Sequence, residues 1–184
     1  MNRPQQLLCA ISLCGGAVPG LFAEQKPHII VSANKILPQA GGTTVNSVAA
    51  APGTISFSAT DPALSPFAGS SASTVTWKTS GGTTTFTWNL QVQAGATSFT
   101  NCGTVPTTAV TVTCSSVTGG TAGACKPAFA LSNAGQQVAT GKESSSTNAP
   151  YSVTMSFALT DSWSYIAKQV PACTLTLTYT VTAP

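Results

Sequence analysis

Side chains able to exchange protons or hold developing charge are scarce in this chain: one histidine, His28, and four carboxylates, Glu24, Asp61, Glu143 and Asp161, no two of them close in sequence. General acid–base chemistry needs such groups to converge. A Ser-His-Asp triad would have to gather around His28 from distant segments, and no Gly-x-Ser-x-Gly elbow accompanies it. His28 therefore reads as a strand residue. Glycoside hydrolysis by paired carboxylates would need two of the four acids to meet, and their spacing does not bring them together. Asp61 precedes Pro62 and reads as a turn cap; Glu143 falls in a polar loop. The expectation is a protein that is not an enzyme, has no catalytic residues and needs no cofactor, with a secreted hydrolase as the third-ranked reading.

The six cysteines carry a different chemistry. Cys9 and Cys14 lie in an N-terminal leader, which leaves Cys102, Cys114, Cys125 and Cys173. There is no Cys-x-x-Cys, and the one histidine is remote, so a zinc site is not expected. An even count in an exported chain points to two disulfides. Cys114 and Cys125 flank a Gly-rich segment that, as an antiparallel hairpin, would bring their Cα atoms within bridging range. Pairing of Cys102 with Cys173 would then tie the middle of the chain to its last strand; the other two connectivities stay open.

The remaining candidates are aromatic. Trp77 and Trp88 fall in the apolar phase of their strands and are expected to pack across a hairpin in the core. Trp163 stands between serines in Asp161-Ser162-Trp163-Ser164-Tyr165. An exposed aromatic pair beside a carboxylate would suit stacking on a sugar and hydrogen bonding to its hydroxyls, so Trp163, Tyr165 and Asp161 form the candidate glycan site. The alternative is that both rings cover one open end of the fold.

The elements that must position these groups are β-strands. Cys173, Leu175, Leu177, Tyr179 and Val181 alternate with Thr174, Thr176, Thr178, Thr180 and Thr182, and the same period of two recurs in Phe86 to Val92 and in Tyr151 to Leu159. Further strands are expected over residues 26–37, 43–51, 55–59, 109–114 and around Phe129 and Leu131. Ser80-Gly81-Gly82 is a hairpin signal that should pair the strand of Val75 and Trp77 with the strand of Trp88. Residues 62–73 and 115–124 read as loops, and residues 133–150 as a turn-rich stretch with a short strand at Val138. No long segment shows a 3.6-residue period. An all-β fold with eight or nine short strands follows, as two antiparallel sheets packed face to face in an immunoglobulin-like or jelly-roll sandwich.

Arg3 and an apolar run from Leu7 to about Val18 read as a secretory signal peptide, cleaved after Ala23 or, alternatively, after Gly20. Cys14 does not suit lipidation, because Leu13 before it is larger than a lipoprotein processing site takes. Residues 1–23 are then the leader, residues 24–184 a single sandwich domain, and residues 24–50 a candidate N-terminal extension strand. Loss of Arg3 takes the formal charge of +3 to about +2, carried by isolated lysines. That excludes a phosphate-binding patch, so nucleic acid is not an expected partner, and no transmembrane segment follows the leader. The strands carry few charged gatekeepers, which makes self-association through sheet edges easy, with the strand around His28 as the candidate for donation to a neighbour. The outward threonines form an uncharged hydroxyl ladder that could meet a crystal, a glycan or another subunit.

Trp88-Asn89-Leu90-Gln91-Val92-Gln93-Ala94, followed by Phe99 and by Tyr179-Thr180-Val181-Thr182-Ala183-Pro184, resembles the layout of the WxL cell-surface domains. Those carry a Trp-x-Leu strand near the middle and a second tryptophan-containing strand near the end. The likeness spans residues 88–184. It departs from the family in reading Tyr179-Thr180-Val181 at the second motif and in adding four cysteines. It implies a β-sandwich held noncovalently at a cell envelope, with peptidoglycan as ligand. Composition and the C-terminal strand are also similar to secreted pilin-like sandwiches. The leading expectation is an exported structural or adhesive subunit at the cell surface or outside the cell, the periplasm included; the second is a carbohydrate or cell-wall binding module.

Overall fold

Alternation of apolar with Thr, Ser, Asn or Gln residues leaves each long strand one face to bury, and two sheets closed against each other satisfy all of them. The computed structural model describes residues 28–36, 44–58, 61–80, 86–144, 150–165 and 172–183. The expected leader, Ala59, the Gly81-Gly82 turn and Lys168 lie outside these residues.

In chain order the strands are β1 (His28–Ile36), β2 (Thr44–Ala51), β3 (Thr54–Ser56), β4 (Phe67–Ala68), β5 (Ser73–Ser80), β6 (Thr87–Ala94), β7 (Ser98–Phe99), β8 (Cys102–Pro106), β9 (Val110–Thr118), β10 (Thr121–Cys125), β11 (Phe129–Ala130), β12 (Gln136–Lys142), β13 (Pro150–Leu159) and β14 (Thr174–Thr182). Single 3-10 turns lie at Pro62–Leu64 and Thr107–Ala109. One sheet runs β10-β12-β6-β14-β1-β3. The other runs β11-β9-β13-β5-β2, with β4 beside the end of β13, and β7 and β8 form a separate ribbon. The protein is an all-β sandwich. No helix among the described residues is long and apolar enough to cross a membrane.

Several expectations change. β5 and β6 do not pair: β5 lies between β13 and β2, and β6 between β12 and β14, in opposite sheets. A period of two shows which face is inward and says nothing about which strand is the neighbour. Residues 115–124 are mostly strand, because β9 runs on to Thr118 and β10 starts at Thr121, leaving only Gly119 and Gly120 to turn. The segment around Val138 is a seven-residue strand, and residues 62–73 contain a 3-10 turn and β4. The antiparallel rule has one exception. β1 runs parallel to β14, from His28 opposite Thr174 to Ile36 opposite Val181, while pairing antiparallel with β3.

The core is one continuous cluster between the sheets. Trp77 and Trp88, both buried, meet edge to face across the sandwich at 5.0 Å. Trp77 also stacks on Tyr151, its cross-strand partner, at 5.5 Å. Gly141 faces this cluster and lets Trp88 lie against the backbone: a Cβ there would stand 2.5 Å from the indole Cζ2.

The sheet edges are protected by shape. β3 and β11 are three and two residues long. β2 bulges between Asn46 and Ala49, and β10 between Thr121 and Ala124. Ser47 and Ala122, inside those bulges, take positive φ of 53° and 52°. Short and bulged edges resist strand addition as charge does, so the flanks are less open than their lack of lysine implies.

Candidate functional site

The two turns at one end of the sandwich are built by short polar side chains that satisfy their own backbone. Asp61 has extended backbone and caps the 3-10 turn before Pro62, its Oδ1 accepting from Ala63 N at 2.9 Å. On the other turn, Asp161 Oδ1 accepts from Ser162 N at 2.8 Å, Tyr165 N donates to Ser162 O at 2.9 Å, and the Ser162 and Ser164 hydroxyls lie 3.0 Å apart. Asp161 N donates to Ser65 Oγ at 2.8 Å, across 96 residues of sequence, and Phe67 pairs with Leu159 just inside the sheet. Thr160 N donates to Ala109 O at 2.8 Å. The Asp161 turn is thus fastened to both sides of its own sheet.

Of the three candidate glycan residues, the structure displays one. Trp163 is 81 % exposed, whereas Trp77 and Trp88 are at 1 % and 0 %. Tyr165 does not join it as an exposed pair: it is half-buried and packs against the core, anchoring the turn. Asp161 is half-buried and holds the turn through its cap. The sequence alone misses Leu64, among the described residues the other large exposed apolar side chain, at 68 %. Its turn is joined to that of Trp163 by the long-range Ser65–Asp161 hydrogen bond, which leaves no trace in local spacing.

Among the described residues the other carboxylate, Glu143, lies elsewhere, and β1 places His28 in the opposite sheet. His28 opens β1, opposite Thr174 and Ser56 in the backbone register. Glu143 is buried beyond the end of β12, its N–H donating to Phe86 O at 2.9 Å. Among the described residues no three His, Cys, Asp or Glu side chains stand together as metal ligands. Burial pushes the Tyr179 hydroxyl well above the ordinary phenol range, offset in part by the Ser73 hydroxyl beside it. Cys102 and Cys173 are bridged with Cα atoms 5.3 Å apart, Cys114 and Cys125 with Cα atoms 5.4 Å apart. The second bridge joins opposite sheets: β9 and β10 are not a hairpin within one of them. Trp88 and Leu90, which carry the WxL resemblance, are both fully buried and pack in the core.

The chain matches no protein-family model and no curated protein. What the fold defines is a class: a two-sheet β-sandwich with two cystine bridges.

Proposed function

We propose that the chain is an exported structural subunit of a cell-surface or extracellular assembly, joined copy to copy by transfer of β1 into the sheet of a neighbour. The observation that carries this reading is the place of β1. It is an interior strand, in unbroken register with β14 over six residues, His28 to Ala33, and with β3 over three, yet it comes from the N-terminal side of all the other described strands. Vacating it would bare one long side of β14, while the true edges stay short or bulged. Strand donation supplies affinity through main-chain hydrogen bonds along such a groove. The two cystine bridges suit an oxidising compartment.

The test is the full chain from native fractions, run in SDS with and without heating. A heat-sensitive ladder is expected. Ser32→Pro, which removes the N–H of a residue registered with Thr178, should abolish it. Excess synthetic peptide of residues 28–36 should shorten it. Monomer in every unheated lane, at high protein concentration, refutes strand transfer.

A further inference from the structure

An exposed tryptophan on a structured turn is costly to leave bare, since its large apolar face gains nothing from burial in the folded chain. Trp163 is 81 % exposed on a turn whose backbone is already fixed by Asp161, Ser162, Ser65 and Ala109. The entropy of ordering is therefore spent before any ligand arrives. Ser162 and Ser164 flank Trp163 in sequence, their hydroxyls 3.0 Å apart, and the adjoining turn, joined to this one through Ser65 and Asp161, carries the exposed Leu64. Asp61 and Asp161 each engage one backbone N–H through Oδ1, leaving a second carboxylate oxygen that no described residue engages. We infer that these adjoining turns form a glycan-binding site, in which Trp163 stacks on the C–H face of a neutral β-linked pyranose chain and the Asp161 and Asp61 carboxylates accept from its hydroxyls.

The chemistry selects this ligand over others. The negative face of an indole attracts the polarised C–H groups of a pyranose, and carboxylates are acceptors that sugar hydroxyls can meet. Residues 61–65 and 161–165 carry negative charge only, so phosphate-bearing polymers and anionic bilayers meet repulsion there. A neutral bilayer would find one ring and one leucine, flanked by two carboxylates that resist burial in lipid. The site is independent of strand transfer: β1 belongs to the sheet that β4 and β13 do not.

The chain has three tryptophans, two of them buried, so quenching of its fluorescence by acrylamide reports on Trp163. With cellohexaose or chitohexaose at saturation, the quenchable emission should fall by at least about twofold. Trp163→Ala should weaken retention on insoluble cellulose or chitin about tenfold or more, the loss of one binding hot spot, while Trp163→Tyr keeps a ring and most of the retention. The Ala variant should unfold at the wild-type temperature, because the side chain packs on little. Unchanged quenching with both oligosaccharides overturns the proposal. So does protection by phosphatidylcholine vesicles alone, and so does equal retention of Trp163→Ala and wild type.

Discussion

Replacing Gly141 by alanine tests the aromatic cluster that sets the distance between the sheets. The new Cβ would stand 2.5 Å from Cζ2, 2.7 Å from Cε2 and 2.9 Å from Nε1 of Trp88. Atoms in comfortable contact lie about 3.5–4.0 Å apart, so the indole must retreat by roughly 1 Å. It has nowhere to go. Trp88 is fully buried and presses its edge on Trp77, Trp77 is stacked on Tyr151, and the Tyr151 hydroxyl is tied to Ser144 N at 2.8 Å. Overpacking of this kind costs about 1–3 kcal/mol, and the lower backbone freedom of alanine when unfolded returns about 0.5–1 kcal/mol. A net loss of about 1–2 kcal/mol lowers Tm by about 2–8 °C in a domain of this size. Urea unfolding of wild type, Gly141→Ala, Trp88→Phe and the double variant gives the coupling. The smaller ring removes the clashing atoms, so the alanine should cost about 1 kcal/mol less in the Trp88→Phe background. An unchanged midpoint for Gly141→Ala, or strictly additive penalties, would refute the reasoning.

Two further outcomes follow from the same packing. Replacing Cys102 and Cys173 by serine opens a loop of 71 residues and should cost about 4 kcal/mol by closure entropy, against about 3 kcal/mol for Cys114 and Cys125 across 11 residues; urea midpoints in the reverse order would contradict this. Burial keeps the Tyr179 phenol protonated in the folded chain after the unfolded chain has lost that proton. Stability should therefore fall as pH rises above about 10, by up to about 1.4 kcal/mol per pH unit, and Tyr179→Phe should flatten that slope. The same alkaline slope in both proteins would place the titrating group elsewhere.

Burial along the long strands was legible because a period of two is a local property. The inward sets Tyr151 to Leu159 and Leu175 to Val181 are buried as the alternation requires. Neighbour choice was not legible, since β5 and β6 follow each other in sequence and carry good hairpin chemistry between them, yet cross from one sheet to the other. In sequence β12 resembles a loop because Gly141 and Thr140 dilute its pattern, and its glycine is there to receive an indole from β6. At the candidate glycan site, the Asp-Ser-Trp-Ser-Tyr run pointed to Trp163. The division of labour between its two aromatics depends on Tyr165 reaching the core, and the junction with the Leu64 turn on a contact 96 residues apart.

The parallel pairing of β1 with β14 also sets a schedule. His28 meets Thr174, so this part of the sheet closes only after the chain through β14 is present. Joining positions so distant costs roughly 4 kcal/mol in loop-closure entropy and slows folding. During that interval the long side of β14 is open, and strand transfer as proposed sets two sources in competition to cover it. One is the chain's own β1, at an effective concentration set by the tether. The other, if strands transfer as proposed, is β1 of neighbouring copies at their own concentration. On the strand-transfer proposal, protein concentration during folding sets the ratio of closed monomers to linked chains.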